Sequence, residues 1–494
     1  MAAFIGIDLG TTYSAVSYID ETGRSTIVHN SDGINITPSC IDFSEGKAEV
    51  GEWARKQLGL SDTIAARFKR DMGTSKTYDI LDENYSPTDC SAILLKKILQ
   101  DTKDQIGEVG EAVVTIPANF ANEARVATQV AAKQAGLEVK YIVNEPTAAA
   151  LYYAFEGGND LHGYYAVYDL GGGTFDVSIL KVDGQDVEVV TSNGISRLGG
   201  DDFDIVLQKI VQKKYNEKTG EEANYTKTLA EEDKKSLSKR NKMLVTIGQT
   251  NITVTREEFE QEISSLIAQT EMLCESTIDE AGISQSDIQE VFLAGGSTRM
   301  PVVLESIKRV FNKEPTSSVN VDEVVALGAS LYAAYKGDHS KLTPVQKASI
   351  QKIKVSESTS VCFGTIAMHY DENRKEQHEA VTIIINKNKK IPCSVTESFY
   401  TIYEGQETVD CRITESVSAE TDPRFVKIIW DGELTLPAGR AANQEVKITY
   451  SFDDNQTMHA SFVDVATGKD TQISLSVITS SEEDSSKIDK FRVE

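Results

Sequence analysis

Three consecutive glycines set between two apolar runs leave a chain few ways to fold around them. Residues 165–180 read YAVYDLGGGTFDVSIL, with Val167 and Tyr168 before the glycines and Phe175, Val177 and Ile179 alternating after them as strand residues do. Glycine serves where backbone must turn sharply or come close to another group. Strand, Asp169, Gly171-Gly172-Gly173, Thr174, strand therefore reads as a hairpin whose turn offers bare N–H groups and a hydroxyl, a surface suited to an anion such as phosphate. A plain hairpin turn explains a single motif of this kind equally well.

The chain carries the pattern twice. Ile5 to Val16 reads IGIDLGTTYSAV: an apolar strand, Asp8, Gly10, Thr11, Thr12, Tyr13 and a returning strand. Two related hairpins point to an internal duplication. Facing each other, the two turns would clamp one polyphosphate, with Asp8 and Asp169 on either side of it to hold Mg²⁺ through its water shell.

At 494 residues, two or three domains are expected. The 76 acidic residues against 50 basic ones give a net charge of −26, which repels nucleic-acid backbones and anionic membranes, so neither is expected as a partner. The six cysteines lie scattered, with no C-x-x-C spacing, and a reducing, cytoplasmic setting is expected. The first apolar residues already belong to a strand, so no signal peptide is expected. No apolar run reaches the length of a membrane span. A monomer is expected.

Along the chain, strands alternate with helices to about residue 335, the mark of α/β architecture. A helix is expected over 51–70, others near 88–106, 119–136 and 145–155, and a single long one over 257–281. Strands are expected at 111–116, 141–143 and 287–293, the last running into AGGSTRMP. From about Lys336 the composition becomes polar and linker-like. Beyond it, VTIIINKNKKIP, SFYTIYEGQETVDCRIT, VKIIWDGELTLP and QEVKITYSF read as strands of an antiparallel β-sandwich. The domains expected are 1–338, a linker 339–358, a β domain 359–478 and a disordered polar tail 479–494.

IGIDLGTT, NEPTAAA, DLGGGTFDVS and GGSTRMP together resemble, in order and approximate spacing, the nucleotide-binding domain of the seventy-kilodalton heat-shock (DnaK-type, Hsp70) chaperone family. The resemblance extends more loosely to the β domain through KKIPCSVTESFYTIYEGQ and LPAGR. It implies a two-lobed, actin-like (duplicated ribonuclease-H-like) α/β ATPase domain followed by an antiparallel β-sandwich, with ATP or ADP, Mg²⁺ and K⁺ as ligands. Carried over by matching position, Gly10, Thr11, Thr12 and Tyr13 form the first phosphate turn, and Gly171, Gly172, Gly173 and Thr174 the second. Asp8 and Asp169 serve the metal through water, with Asp176 close behind. Lys69, Glu145, Thr174 and Asp169 are implied as catalytic. The nucleoside side is implied to be Gly199, Gly200, Glu231, Lys234, Ser238, Gly295, Gly296, Ser297, Arg299 and Asp322, with Lys235 where an arginine is usual. Phe399 matches an aromatic of the peptide-binding region.

The resemblance implies an ATP-hydrolysing chaperone acting on unfolded polypeptides, with a J-domain co-chaperone and a nucleotide-exchange factor as further partners. Four departures bear on that. The J-domain-contact arginine falls at Tyr141, although Pro117 and Arg125 keep the family's relay pair. The regions after Gly73 and Ser238, where exchange factors bind, are short. The linker KLTPVQKASIQKIK is longer and more basic than the family's leucine-rich one, so weakened coupling of ATP to the β domain is expected. No amphipathic helical lid follows the last β segment, so fast, weak peptide binding is expected. The alternative reading is an ATP-bound, non-cycling homologue that acts as a regulatory or docking partner. A sugar kinase or actin-like filament protein shares the cleft, but NEPTAAA and the β domain count against both.

Overall fold

The structure is a computed structural model, and it describes residues 3–44, 46–158, 160–316, 318–371, 376–453, 456–475 and 486–494. Contacts divide the chain into two compact units, Met1–Val355 together with Glu482–Glu494, and Ser356–Ser481.

The first unit is built on two sheets of one plan. Strand Ala3–Asp8 pairs antiparallel with Tyr13–Ile19, which pairs with Ser25–Val28. Its other edge runs parallel to Val109–Ile116, and that strand runs parallel to Glu138–Asn144. Likewise His162–Leu170 pairs antiparallel with Phe175–Asp183, which pairs with Asp186–Ile195, and its other edge runs parallel to Ile288–Ala294. Thr316 adds a parallel bridge to Phe292 where the fifth strand of the first sheet would lie. Strand order and sense repeat, so the duplicated glycine hairpins are the visible part of a duplicated sheet.

Helices Glu145–Gly157 and Val324–Lys336 pack on each other in one apolar core with strand residues of both sheets. Their sequences, EPTAAALYYAFEG and VVALGASLYAAYK, carry small residues where the backbones meet. A Cβ on Gly328 would overlap the Ala148 carbonyl, so only glycine lets the helices approach this closely.

Four expectations are corrected. The stretch 51–70 is a helix only over Glu52–Gln57; Ile64–Ala66 is a strand beside Cys40–Ser44, and Arg67 enters a 3-10 turn at φ 61°. Sheet pairing overrides the helical spacing of the apolar residues there. The long helix is two, Arg256–Glu262 and Ser264–Glu280, meeting at Ile263, and Phe259, Ile263 and Ile267 are buried on one face across the junction.

The span expected as a linker is ordered on the first unit. Helix Pro344–Ile350 starts at a capping box of Thr343 and Gln346, and the Gln346 amide also donates to the Ile19 and Asp20 carbonyls at 3.0 and 3.1 Å. Ile350 and Ile353 are buried, and the Lys354 N–H donates to Gln185 O. Polar composition hid these two apolar anchors. The tail, expected to be disordered from 479, lies outside the described residues up to 485. After that Ser486–Asp489 is a helical turn, and Arg492–Val493 pairs parallel with strand Lys47–Val50, because Ile488, Phe491 and Val493 all find apolar cover.

The second unit has two four-stranded antiparallel sheets. One runs Glu376–Ile385, Cys362–Asp371, Thr408–Ser416, Lys427–Thr435. The other runs Cys393–Tyr400, Glu445–Phe452, Met458–Asp464, Asp470–Leu475. They share a core that includes Ile385, Cys411, Ile413, Tyr450 and Phe462.

Candidate functional site

Both glycine turns and both strand-end aspartates of the first unit open onto one cavity of about 420 Å³. Around it stand Asp8, Gly10, Thr11, Thr12, Tyr13, Lys69, Glu145, Asp169, Gly171, Gly172, Gly173, Thr174, Gly200, Glu231, Lys234, Ser238, Gly295, Gly296, Ser297, Arg299 and Asp322. Gly199 is set back from the wall, where it supports the second turn; a Cβ on it would come within 2.6 Å of Gly172 O. Asp176, opposite Asp169 in the hairpin register, also lies behind the wall.

The turns have the character of an anion cradle. A side chain on Gly172 would overlap the Thr12 hydroxyl, and one on Gly173 would overlap Thr11. Among the described residues the buried Thr12 Oγ1 has no hydrogen-bond partner. Arg70 braces the cradle from behind, donating to Gly172 O at 3.2 Å and to Asp202 at 2.8 Å, while Arg67 pairs with Asp201. These contacts tie the 67–71 turn of one half to the glycine turn of the other.

The floor of the cavity is acidic. Burial, and then the Glu145 carboxylate, push Asp8 up to about 7, although Lys69 and a 3.0 Å bond from Thr115 Oγ1 pull the other way. The same two causes, in the same order, raise Asp169 and Asp176 well above the ordinary carboxylate range. For Asp176, Lys69 and a backbone hydrogen bond from Asn119 oppose that rise without cancelling it. Buried carboxylates held up in this way are relieved by a cation. Among the described residues no group of three or more acidic, histidine or cysteine side chains stands close enough to ligate a metal directly.

Lys69 is the cationic counterpart. It follows strand Ile64–Ala66 through the left-handed Arg67, and its Nζ donates to Glu145 Oε1. Burial disfavours its charge, but Glu145 and then Asp8 outweigh burial, so its pKa lies above the ordinary amine value. Glu145 is the first residue of helix Glu145–Gly157, with Pro146 next, where the helix dipole favours a carboxylate. Arg125 donates to Ala118 O and to the Asn144 side chain, both at 3.3 Å, linking the loop after Pro117 to the residue before Glu145.

At the far end of the cavity, helix Lys227–Lys239 presents Glu231, Lys234, Lys235 and Ser238. Glu231 accepts from Tyr13 Oη and Arg55 at 3.1 Å and from Lys235 at 2.6 Å. Burial alone would raise its pKa, but Lys235 and Arg55 prevail and hold it at about 2. Lys235 also lies 5.3 Å from the Tyr13 ring centre. Lys234 donates to Gly200 O and pairs with Asp204, and Arg299 pairs with Asp322 at 2.5 Å.

Sequence reasoning missed Arg55, Arg67 and Asp204, together with the apolar wall of Ile36, Met300, Val321 and Val325. Asp204 could have been found as the third acid of GGDDFD. Arg55 has no sequence signal, because its role depends on Glu231, 176 residues away. Tyr141 lies beneath Lys336, 5.9 Å from its ammonium. Phe399 belongs to the second unit, where it faces Val446 and packs against the core.

A duplicated sheet with two glycine-threonine turns and an acidic floor about one polar cleft defines a class: α/β proteins built of two like halves with a cleft between them. The Hsp70 family model, described as Hsp70 protein, matches residues 4–494, and the chain belongs to the Hsp70 family. Members of the family are generally ATPases that bind ATP or ADP with Mg²⁺ and act as ATP-dependent chaperones on unfolded polypeptides, together with co-chaperones.

Proposed function

We propose that this chain hydrolyses ATP in the cleft of its first unit, an actin-like two-lobed ATPase domain, and uses the β-sandwich of its second unit to bind extended polypeptide. The observation that carries the reading is the buried Lys69–Glu145 pair, set beside the Thr11-Thr12 and Thr174 turns and above Asp8 and Asp169. Phosphoryl transfer asks little of a protein beyond positioning and charge stabilisation. Turn N–H groups and the Thr11 and Thr12 hydroxyls would hold the phosphates. Lys69 would face the γ-phosphate, and Glu145, Thr174 and Asp169 would orient the attacking water. Mg²⁺ held near Asp8 and Asp169 would supply neutralising charge on the phosphate oxygens, and K⁺ would share that acidic shell, with Asp176 close behind. The nucleoside would lie along Gly199, Gly200, Glu231, Lys234, Ser238, Gly295, Gly296, Ser297, Arg299 and Asp322. In the second unit, Tyr400, Ile402 and Tyr403 are exposed and offer apolar contacts to a peptide.

Single-turnover ATP hydrolysis, with and without peptide and a J-domain protein, tests this. Lys69→Ala should slow the step by about 10²–10³-fold. Absence of turnover in the unaltered chain would favour the second reading, a non-cycling homologue that holds ATP and docks on another assembly. Tyr141, in place of an arginine, and the ordered stretch around Gln346 speak for that reading.

A further inference from the structure

Strand Lys47–Val50 would be the edge of its sheet but for residues 492–494. An uncovered edge is a template for another strand. Here the Arg492 N–H donates to Gly46 O at 3.0 Å, the Glu494 N–H to Ala48 O at 3.0 Å, and the Val50 N–H to a Glu494 backbone oxygen at 2.9 Å. Side chains alternate as they do in a strand: Phe491 and Val493 are buried, whereas Lys490 and Arg492 face out. The Phe491 ring lies 5.4 Å from Phe43 and 5.9 Å from Tyr85, and Ile488 is fully buried on helix Pro87–Ile106. Ion pairs mark the rim: Lys490 with Glu83, Lys96 with Asp489 at 3.3 Å, and Lys47 with Glu494 at 2.9 Å.

These are the elements of peptide recognition by strand addition, in which main-chain hydrogen bonds give affinity and pockets for alternate side chains give selectivity. Nothing in the cleft chemistry requires them. We infer that the Lys47–Val50 edge, with the Phe43–Tyr85 pocket, is a recognition site for a linear segment of the pattern I-D-K-F-R-V-E, and that residues 488–494 of the same chain are its resident, exchangeable occupant. The segment adds three side chains, Ile488, Phe491 and Val493, to the apolar core of the first unit and three main-chain bonds to its sheet, the scale of a short-peptide complex. The occupant makes the second unit a segment whose two flanks both return to the first unit.

The Val50 amide reports occupancy, because its hydrogen bond goes to Glu494 and to no strand of the sheet itself. Hydrogen exchange of residues 46–52 should be slow in the full chain and at least about tenfold faster in the full chain carrying Phe491→Asp and Val493→Asp. Added peptide SKIDKFRVE should restore protection in that variant, and a scrambled peptide should not. The unaltered chain should bind the labelled peptide at least about tenfold more weakly, since its own segment competes at an effective concentration on the millimolar scale. Should the double variant fail to fold, Arg492→Pro, which removes one main-chain donor at an exposed position, takes its place. Unchanged Val50 protection in the variants, or no rescue by the peptide, overturns the inference. Protection in the unaltered chain that falls on dilution also overturns it, by making the occupant the tail of a second copy.

Discussion

Lys69 and Glu145 form an ion pair that water scarcely reaches, with the two side chains 4% and 8% exposed. They come from chain segments 76 residues apart, one on a 3-10 turn and one at a helix N-terminus. Removing one member of such a pair leaves an uncompensated buried charge, at a cost of about 3–5 kcal/mol. Lys69→Met and Glu145→Gln should therefore differ. Lys69→Met leaves Glu145 as one more carboxylate beside Asp8, Asp169 and Asp176, while Glu145→Gln removes repulsion from all three. In urea unfolding, Lys69→Met should be the more destabilised, and adding Glu145→Gln to it should recover part of the loss. Additive losses would show that the two residues are not coupled.

Glu231 gives a pH signature. Its pKa is held at about 2 against an ordinary 4.5, so its stabilisation is fully present above 4.5 and is lost as pH falls toward 2. Glu231→Gln should cost roughly 1–3 kcal/mol at pH 7 and at pH 5.5 alike. The gap between the variant and the unaltered chain should narrow between pH 4.5 and 2, as followed by urea unfolding across that range. A gap that is constant down to pH 2.5 would contradict the assignment.

Gly328 is where the two central helices touch. Gly328→Ala must push helix Val324–Lys336 away from the Ala148 carbonyl. Overpacking of this kind costs about 1–3 kcal/mol. Thermal unfolding should register the loss, whereas alanine at the exposed turn residue Gly46, which meets no other atom, strains only its own backbone and should cost less.

The meeting of the two glycine turns at one cleft was legible because short motifs carry them: Asp8 to Tyr13 and Asp169 to Thr174 each sit within one hairpin, where residue order and spatial order coincide. The partners of those motifs were less so. Arg55 reaches Glu231 and Arg67 reaches Asp201 only after the halves have closed on each other, and no periodicity encodes that. The misread helix at 51–70 has the same origin, since strand Ile64–Ala66 exists by pairing with Cys40–Ser44 and not by propensity. Composition misled twice, at 339–355 and at 486–494. In each, a few buried residues (Ile350 and Ile353, then Ile488, Phe491 and Val493) anchor a stretch that is polar on average.

The ordered stretch around Gln346 leads to a prediction about coupling. Burying Ile350 and Ile353 stabilises the docked segment by about 1.5–3 kcal/mol each, and Gln346 adds bonds to Ile19 and Asp20 on the first sheet while Lys354 bonds to Gln185 beside the second. A segment held on both sheets resists release when nucleotide changes. Moving a two-state equilibrium from one extreme to the other takes about 5.5 kcal/mol of differential binding, and releasing this segment would consume most of that. The Lys354 amide should therefore exchange equally slowly with ATP and with ADP, and peptide should leave the second unit at rates within about threefold of each other in the two states. Substituting Ile350 and Ile353 by serine should loosen the segment and make the Lys354 amide exchange faster. Acceleration of peptide release by ATP of a hundredfold or more, with the Lys354 amide becoming unprotected only in ATP, would show that the segment undocks and acts as the linker after all.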